Sequence, residues 1–176
     1  MPFIIAVVGI IIAAYFWANR ARNAAHIATD IVDMAGDVRA AARRFGFSRR
    51  ANVHPVESID NPNVAAAALS SAFIALDDMP TKDAKDALHV SLRRVLQVDD
   101  ADAQELMVLG HWLVNECNGP QPAITRLAKK LYRLEGSSAL TPLMDIITGV
   151  IPSDPNALSD KQREAIEELR VAFRVR

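Results

Sequence analysis

The apolar and polar positions divide the chain into parts of different character. From Pro2 to Ala18 there is no charged side chain, and isoleucine and valine follow one another almost without a break. A helix over residues 1–18 would be about 27 Å long, close to the ~30 Å hydrocarbon core of a bilayer. We therefore predict a transmembrane helix over residues 1–18. Its predicted anchoring side chains are Phe3, Ile4, Ile5, Val8, Ile11, Ile12, Tyr15 and Trp17, the last two placed as interfacial aromatics are.

A signal peptide and a buried core helix both fit this apolar segment less well than a transmembrane helix does. A secretory signal peptide begins with a positively charged region, and no basic residue precedes Arg20. A buried core helix usually carries some polar residue in about five turns. The nearby basic residues all follow the apolar segment, so the positive-inside rule places the rest of the chain in the cytoplasm. The expected location is the bacterial inner membrane, crossed once.

Residues 19–47 form a basic segment with helical periodicity, which we predict to be an amphipathic neck. Its apolar side chains recur at steps of four, three, four, three and four, at Ile27, Ile31, Met34, Val38, Ala41 and Phe45. This stripe is too short to require a coiled coil. We favour docking onto the following domain or a neighbouring subunit. Contacts with a partner or with anionic lipid headgroups are predicted for Ile27, Ile31, Met34, Val38, Arg39, Arg43, Arg44, Arg49 and Arg50.

Residues 48–63 are rich in turn-forming residues, and we predict a linker there. The segment contains His54-Pro55, the first two residues of the His-Pro-Asp tripeptide of J-domain co-chaperones. Val56 stands where that tripeptide has its aspartate, and no pair of basic and apolar helices frames it. We interpret this part of the segment as a loop.

Residues 64–176 carry the pattern of amphipathic helices joined by short loops, and strand patterns are absent. Side chains that favour the first positions of helices recur along this region. The predicted starts are at Asn61-Pro62, Thr81, Asp99 or Asp100, Gln121-Pro122, near Ser138, and Ser159, where Gln162 completes a capping box. These helix-start signals predict an all-α fold class, with a compact bundle of about six helices.

Charge and chemistry narrow the functions that this bundle could have. Residues 19–54 hold seven arginines and three aspartates, whereas residues 55–176 hold 13 Lys or Arg and 18 Asp or Glu. The basic cluster is small and has few stacking aromatics, so nucleic acid is not an expected partner. The single cysteine, Cys117, excludes an internal disulfide and is expected in the core. No phosphate loop, nucleophile elbow or HExxH motif occurs, so neither enzymatic activity nor a small-molecule substrate is expected.

Two stretches of the bundle resemble the tellurite-resistance-B-like (TerB-like) helical domain. The first is the run from Ala68 to Asp83, which resembles that family's first helical hairpin, with an acidic turn before the next helix. The second covers Ile147 to Glu164 and resembles the family's second, pseudo-symmetric turn. The resemblance spans about residues 64–174. It implies a TerB-like bundle behind one membrane helix, the layout of membrane-anchored DnaJ-like proteins without their J domain.

Because acidic loops of TerB-like domains can bind calcium, the resemblance suggests a divalent cation at Asp77, Asp78 and Asp83. Calcium requires six to eight oxygen ligands, of which these carboxylates would supply some. The chain departs from the family pattern at Asp78, which replaces a glycine. The alternative is that Asp83 stabilises a helix N-terminus while Asp77 and Asp78 are solvated. We favour this alternative, and no other cofactor is expected.

These patterns together favour a membrane-anchored, non-catalytic adaptor, an accessory or assembly subunit of a larger membrane protein complex. Its expected partners are the bilayer and an integral membrane protein. Two alternatives stay open at this point. One is a cation-binding stress-response module of the tellurite-resistance type, and the other is a co-chaperone-like factor without a J domain.

Overall fold

The computed structural model describes residues 36–76, 80–151 and 158–174. These residues are helical or lie in turns, and no strand occurs among them, which confirms the all-α prediction. Nearly all of them belong to one compact unit, Val38–Arg176. Residues 36–44 are helical (α1). The elements after them are a 3-10 turn at Pro55–Ser58, α2 (Pro62–Ile74), α3 (Lys82–Leu96), α4 (Asp100–Glu116), α5 (Pro120–Glu135), a 3-10 turn at Gly136–Ala139, α6 (Leu140–Val150) and α7 (Asp160–Ala172).

Local side-chain hydrogen bonds set most of the helix starts where the sequence predicts them. The side chains of Asn61, Thr81 and Asp99 each accept a hydrogen bond from a backbone N–H in the first turn of α2, α3 and α4. Ser159 and Gln162 form the predicted reciprocal capping box of α7. These caps satisfy N–H groups that have no partner within the helix.

Two boundaries differ from the predicted ones. Helix α5 begins at Pro120, two residues before Pro122, because Gly119 with φ of 118° turns the chain directly into the helix. A 3-10 turn over Gly136–Ala139 precedes α6, so Ser138 does not cap that helix. Its hydroxyl instead donates to the carbonyl of Glu135 at 2.7 Å.

Helix α2 forms the centre of the bundle. Ten of its 13 residues are buried, which explains why it lacks a clear polar face. It packs mainly against α4 and α5. At the crossing with α4, Gly110 lies against Ala67, Ala68 and Ser71, and a Cβ added there would come within 3.1 Å of the Ala68 Cα. Small side chains therefore let these two helices approach closely.

The second half of the predicted linker contributes to the core. Val56 and Ile59 are at most 1% exposed, and Pro55 and Ser58 are also buried. The 3-10 turn packs on α4 and α5. The prediction for residues 48–63 rested on local turn residues. It did not anticipate that two apolar side chains among them would be covered by distant helices.

Candidate functional site

The arginine-rich segment, which we define as residues 38–50, lies against the bundle. Ala41 is fully buried, and Val38 and Phe45 are half-buried against the core. These three residues are the last members of the predicted apolar stripe, and their spacing of three and four puts them on one helix face. Phe47 continues the contact and packs edge-on against Trp112 of α4, with ring centroids 5.8 Å apart. The earlier members of the stripe, Ile27, Ile31 and Met34, lie outside the described residues.

Arg44 joins α1 to the beginning of α4. Its Nη2 lies 3.4 Å from Asp99 Oδ2, its Nη1 lies 3.5 Å from Glu105 Oε1, and its Nε contacts the Asp102 carboxylate. Asp102 and Glu105 are half-buried, with side chains 25% and 29% exposed. One guanidinium therefore neutralises part of a cluster of three carboxylates and fixes where α1 docks.

Two more arginines of this segment pair with carboxylates of the same chain. Arg49 Nη2 lies 3.7 Å from Glu116 Oε2, and Arg50 Nη2 lies 2.7 Å from Asp60 Oδ2. The backbone N–H of Arg50 also donates to the Ser58 hydroxyl at 3.1 Å. Three of the five arginines predicted to contact a partner or lipid thus take part in intramolecular ion pairs.

The remaining two arginines face solvent. Arg39 and Arg43 are exposed, and no carboxylate of the described residues lies within ion-pairing distance of either. Arg39 and Arg43 are four residues apart and therefore share one side of α1, and the Arg43 Nε donates to the Arg39 carbonyl at 3.4 Å. Of the five arginines predicted to contact a partner or lipid, these two are therefore accessible to such a ligand.

His54 and Lys130 hold the 3-10 turn against the bundle. The Nδ1 of His54 accepts from the Val56 N–H at 3.2 Å, and its Nε2 lies 3.1 Å from the Glu116 carbonyl. An acceptor at Nδ1 assigns the proton to Nε2, the tautomer that donates to this carbonyl. The Lys130 Nζ donates to the Glu57 carbonyl at 3.0 Å, although only 8% of this lysine is exposed. The bond of His54 to Val56 is local, whereas the bonds to the Glu116 and Glu57 carbonyls do not follow from the local sequence, because these partners are far away along the chain.

A cleft of about 650 Å³ lies beside this turn, along the exposed face of α5. Its charged and polar lining includes His54, Glu57, Glu116, Arg126, Lys129 and Arg133. Arg126, Lys129 and Arg133 share one face of α5 because they are three and four residues apart. That spacing is the signal in the sequence from which this basic face could have been predicted.

Cys117 lies at the floor of the cleft and is 4% exposed, which confirms the expected core position. Burial raises the pKa of its thiol above the ordinary value. The positive charge of Arg126 acts in the opposite direction, and the negative charge of Glu116 adds to the increase. The protonated thiol is a poor nucleophile and a poor metal ligand at neutral pH.

The predicted cation site falls only in part within the described structure. Asp77 and Asp78 lie outside the described residues. Asp83 is exposed in the first turn of α3, where Thr81 Oγ1 accepts from the Ala84 N–H at 3.2 Å. Among residues 36–76, 80–151 and 158–174, no three His, Cys, Asp or Glu side chains are grouped so that they could hold a metal ion.

The predicted membrane anchor, from Phe3 to Trp17, also lies outside the described residues. Within the part of the chain that is described, no helix has both the length and the apolar character that a membrane span requires.

Comparisons of the chain with protein-family models, with curated proteins and with solved structures gave no match.

Proposed function

We propose that this chain is a membrane-anchored, non-catalytic helical adaptor that serves as an accessory or assembly subunit of a larger membrane protein complex. In this proposal residues 1–18 cross the bacterial inner membrane, and the bundle lies in the cytoplasm. The observation that carries the proposal is the docking of α1. Ala41 is fully buried and Arg44 is paired with α4. These contacts hold residues 38–50, which follow the proposed anchor in the sequence, on the surface of the bundle.

The exposed arginines of α1 support the same arrangement. Arg39 and Arg43 follow the apolar segment by about twenty residues and face solvent. A basic residue near an anionic membrane surface contributes about 1 kcal/mol of attraction. These two side chains could therefore contact lipid headgroups or acidic groups of a membrane protein.

The TerB-like character of the bundle is part of the proposal. The ends of two helices are consistent with it, since α2 ends at Ile74 and α3 begins at Lys82 behind the Thr81 cap. These positions agree with the resemblance of residues 68–83 to the first hairpin of that family. Asp77 and Asp78, which would carry the acidic turn, lie outside the described residues.

Membrane attachment is tested by fractionating bacterial cells that express the full chain. We expect the protein in the membrane pellet after an alkaline carbonate wash, and in the supernatant when residues 2–18 are deleted. A matched control scrambles the order of residues 2–18 without changing their composition, and this variant should stay in the pellet. Wild-type protein in the supernatant would overturn the proposed anchor.

Orientation is tested with an introduced cysteine on the exposed side of α3. Lys85→Cys places a thiol at an exposed position, and the native Cys117 gives little background because it is buried. A membrane-impermeant maleimide should label this variant in spheroplasts only after the membrane is permeabilised. Labelling of intact spheroplasts would place the bundle on the opposite side.

The adaptor role is tested by purification from native membranes in a mild detergent after brief crosslinking. An integral membrane protein should be recovered in fixed proportion to the chain. Deletion of residues 2–18, which removes the proposed anchor, should abolish this recovery. A chain that is always recovered alone would argue against an accessory subunit.

A further inference from the structure

The lining of the cleft along α5 carries more positive than negative charge. Glu57 and Glu116 are already paired, since Arg133 Nη2 lies 2.7 Å from Glu57 Oε2 and Arg49 lies 3.7 Å from Glu116. Arg126 and Lys129 are exposed, and no carboxylate of the described residues lies within 4 Å of their charged groups. The nearby Glu168 carboxylate accepts a hydrogen bond from Thr125 instead. Two cations of the cleft therefore lack a counter-charge within the described structure.

The walls of this cleft are held in place from both sides. Lys130 donates to the Glu57 carbonyl at 3.0 Å, and the Nε2 of His54 lies 3.1 Å from the Glu116 carbonyl. These bonds attach the 3-10 turn to α5 and to the end of α4. A ligand would not have to order this part of the chain first, which lowers the cost of binding.

We infer that this cleft is the docking site for an acidic segment of the partner protein, with its Asp or Glu side chains paired to Arg126 and Lys129. The inference rests on the proposed adaptor function. A volume of about 650 Å³ is of the size that accommodates a few side chains. The planar guanidinium of Arg126 can hold a carboxylate through two parallel hydrogen bonds, while Lys129 adds a second positive charge one helical turn away.

A peptide fits the lining better than a membrane surface does. Because Glu57 and Glu116 are paired with arginines, two cations are left for a ligand, which suits a few carboxylates of a peptide better than a dense layer of lipid phosphates. A single extended segment can place carboxylates at the two cations and its backbone N–H groups at the glutamates.

Binding of a labelled hexaglutamate peptide to the full chain in detergent micelles tests this inference, with fluorescence anisotropy as the readout. The affinity should fall about tenfold in the double variant Arg126→Gln/Lys129→Gln, since two ion pairs are lost. The matched control is Lys82→Gln/Lys85→Gln, which removes two exposed cations at the same spacing from α3. Hexaglutamine peptide and glycerol phosphate, the soluble headgroup of phosphatidylglycerol, serve as the other probes.

The outcomes separate this inference from the adaptor proposal. A loss of hexaglutamate binding confined to the α5 double variant supports the docking site. Equal losses in both double variants, or no binding by the wild type, would overturn it. Binding of glycerol phosphate that is lost in the α5 variant, without any peptide binding, would assign the cleft to lipid headgroups. If the co-purified partner is recovered equally with the α5 variant, the docking site is wrong while the adaptor function stands.

Discussion

Arg44 is the residue on which the position of α1 depends most. It contacts three carboxylates, and two of them, Asp102 and Glu105, are half-buried. Exposed ion pairs contribute little, but removing the cation here would leave carboxylates close together with reduced access to water. Arg44 therefore stabilises the fold partly by reducing the repulsion among these three carboxylates.

Replacing Arg44 by Gln should lower the free energy of unfolding by about 1–2 kcal/mol, between the values for exposed and buried pairs. Denaturant unfolding of the full chain in micelles measures this change, and hydrogen exchange at residues 38–45 should become faster. Arg43→Gln is the matched control and should change stability by less than about 0.5 kcal/mol. Equal effects of the two substitutions would contradict the role given to the carboxylate cluster.

Cys117 should make stability depend on pH in the alkaline range. Burial raises the pKa of its thiol, so the folded protein keeps this proton at pH values where the unfolded chain has released it. The folded state then binds more protons than the unfolded state, and stability falls as pH rises above the ordinary thiol pKa of about 8.5. Urea unfolding of the wild type and of Cys117→Ala from neutral to alkaline pH should show a steeper decline for the wild type.

Thiol reactivity provides an independent check on the same residue. Cys117 should react slowly with a maleimide in the folded protein and fast in urea, whereas the introduced thiol of Lys85→Cys should react fast in both. Fast labelling of Cys117 in the folded wild type would show that the thiol is accessible and would contradict its position in the core.

At the scale of the helices, the caps could be predicted and the packing partners could not. Thr81, Asp99 and the pair Ser159 and Gln162 bond within three residues along the chain, so local sequence determines their geometry. The same locality explains why the all-α fold class was predictable. The bonds that build the cleft join residues far apart in sequence, such as Lys130 with Glu57.

For α2, the amphipathic pattern did not predict which residues are buried, because this helix lies at the centre of the bundle. The sequence indicated one apolar face, yet Ala66 and Ser70 on other sides are buried too, because neighbours surround the helix. The hydroxyl of Ser70 has no hydrogen-bond partner among the described residues. A pattern of one apolar face is typical of a helix at the surface, and α2 is not at the surface.

The contact between α2 and α4 depends on the absence of a side chain at Gly110. A Cβ at this position would lie 2.9 Å from the Ser71 hydroxyl and 3.2 Å from the Ala67 carbonyl oxygen. Alanine improves helix propensity by about 1 kcal/mol, whereas overpacking costs about 1–3 kcal/mol. Gly110→Ala should therefore lower the free energy of unfolding by up to about 2 kcal/mol, measured by urea denaturation.

A double-mutant cycle separates the two backbone contacts of Gly110 from the contact with Ser71. Adding Ser71→Ala removes only the hydroxyl, so the pair Ser71→Ala/Gly110→Ala should recover part of the loss and leave the part caused by Ala67 and Ala68. A Gly110→Ala variant more stable than the wild type would show that the helices separate at little cost.

At the scale of the whole molecule, the structure extends the folded unit towards the N-terminus. The sequence predicted a bundle over residues 64–176 behind a linker over residues 48–63. In the structure the compact unit begins at Val38, and apolar side chains of the supposed linker lie in the core. The arginine-rich segment is thus part of the folded unit, and Arg39 and Arg43, which have no ion-pair partner among the described residues, lie exposed on its surface.

A pair of truncated chains tests whether residues 38–59 belong to the folded unit. A chain that begins at Asp60 keeps the Asn61 cap of α2 but loses Ala41, Val56 and Ile59 from the core. Burial of valine and isoleucine contributes about 1.5–3 kcal/mol each, so the shorter chain should lose about 3–6 kcal/mol relative to one that begins at Val38. Total stabilities of domains are about 5–15 kcal/mol, so this loss would be a large share of the total and should clearly lower the unfolding midpoint. Urea denaturation followed by circular dichroism measures the difference, and equal midpoints for both chains would restore the boundary predicted from the sequence.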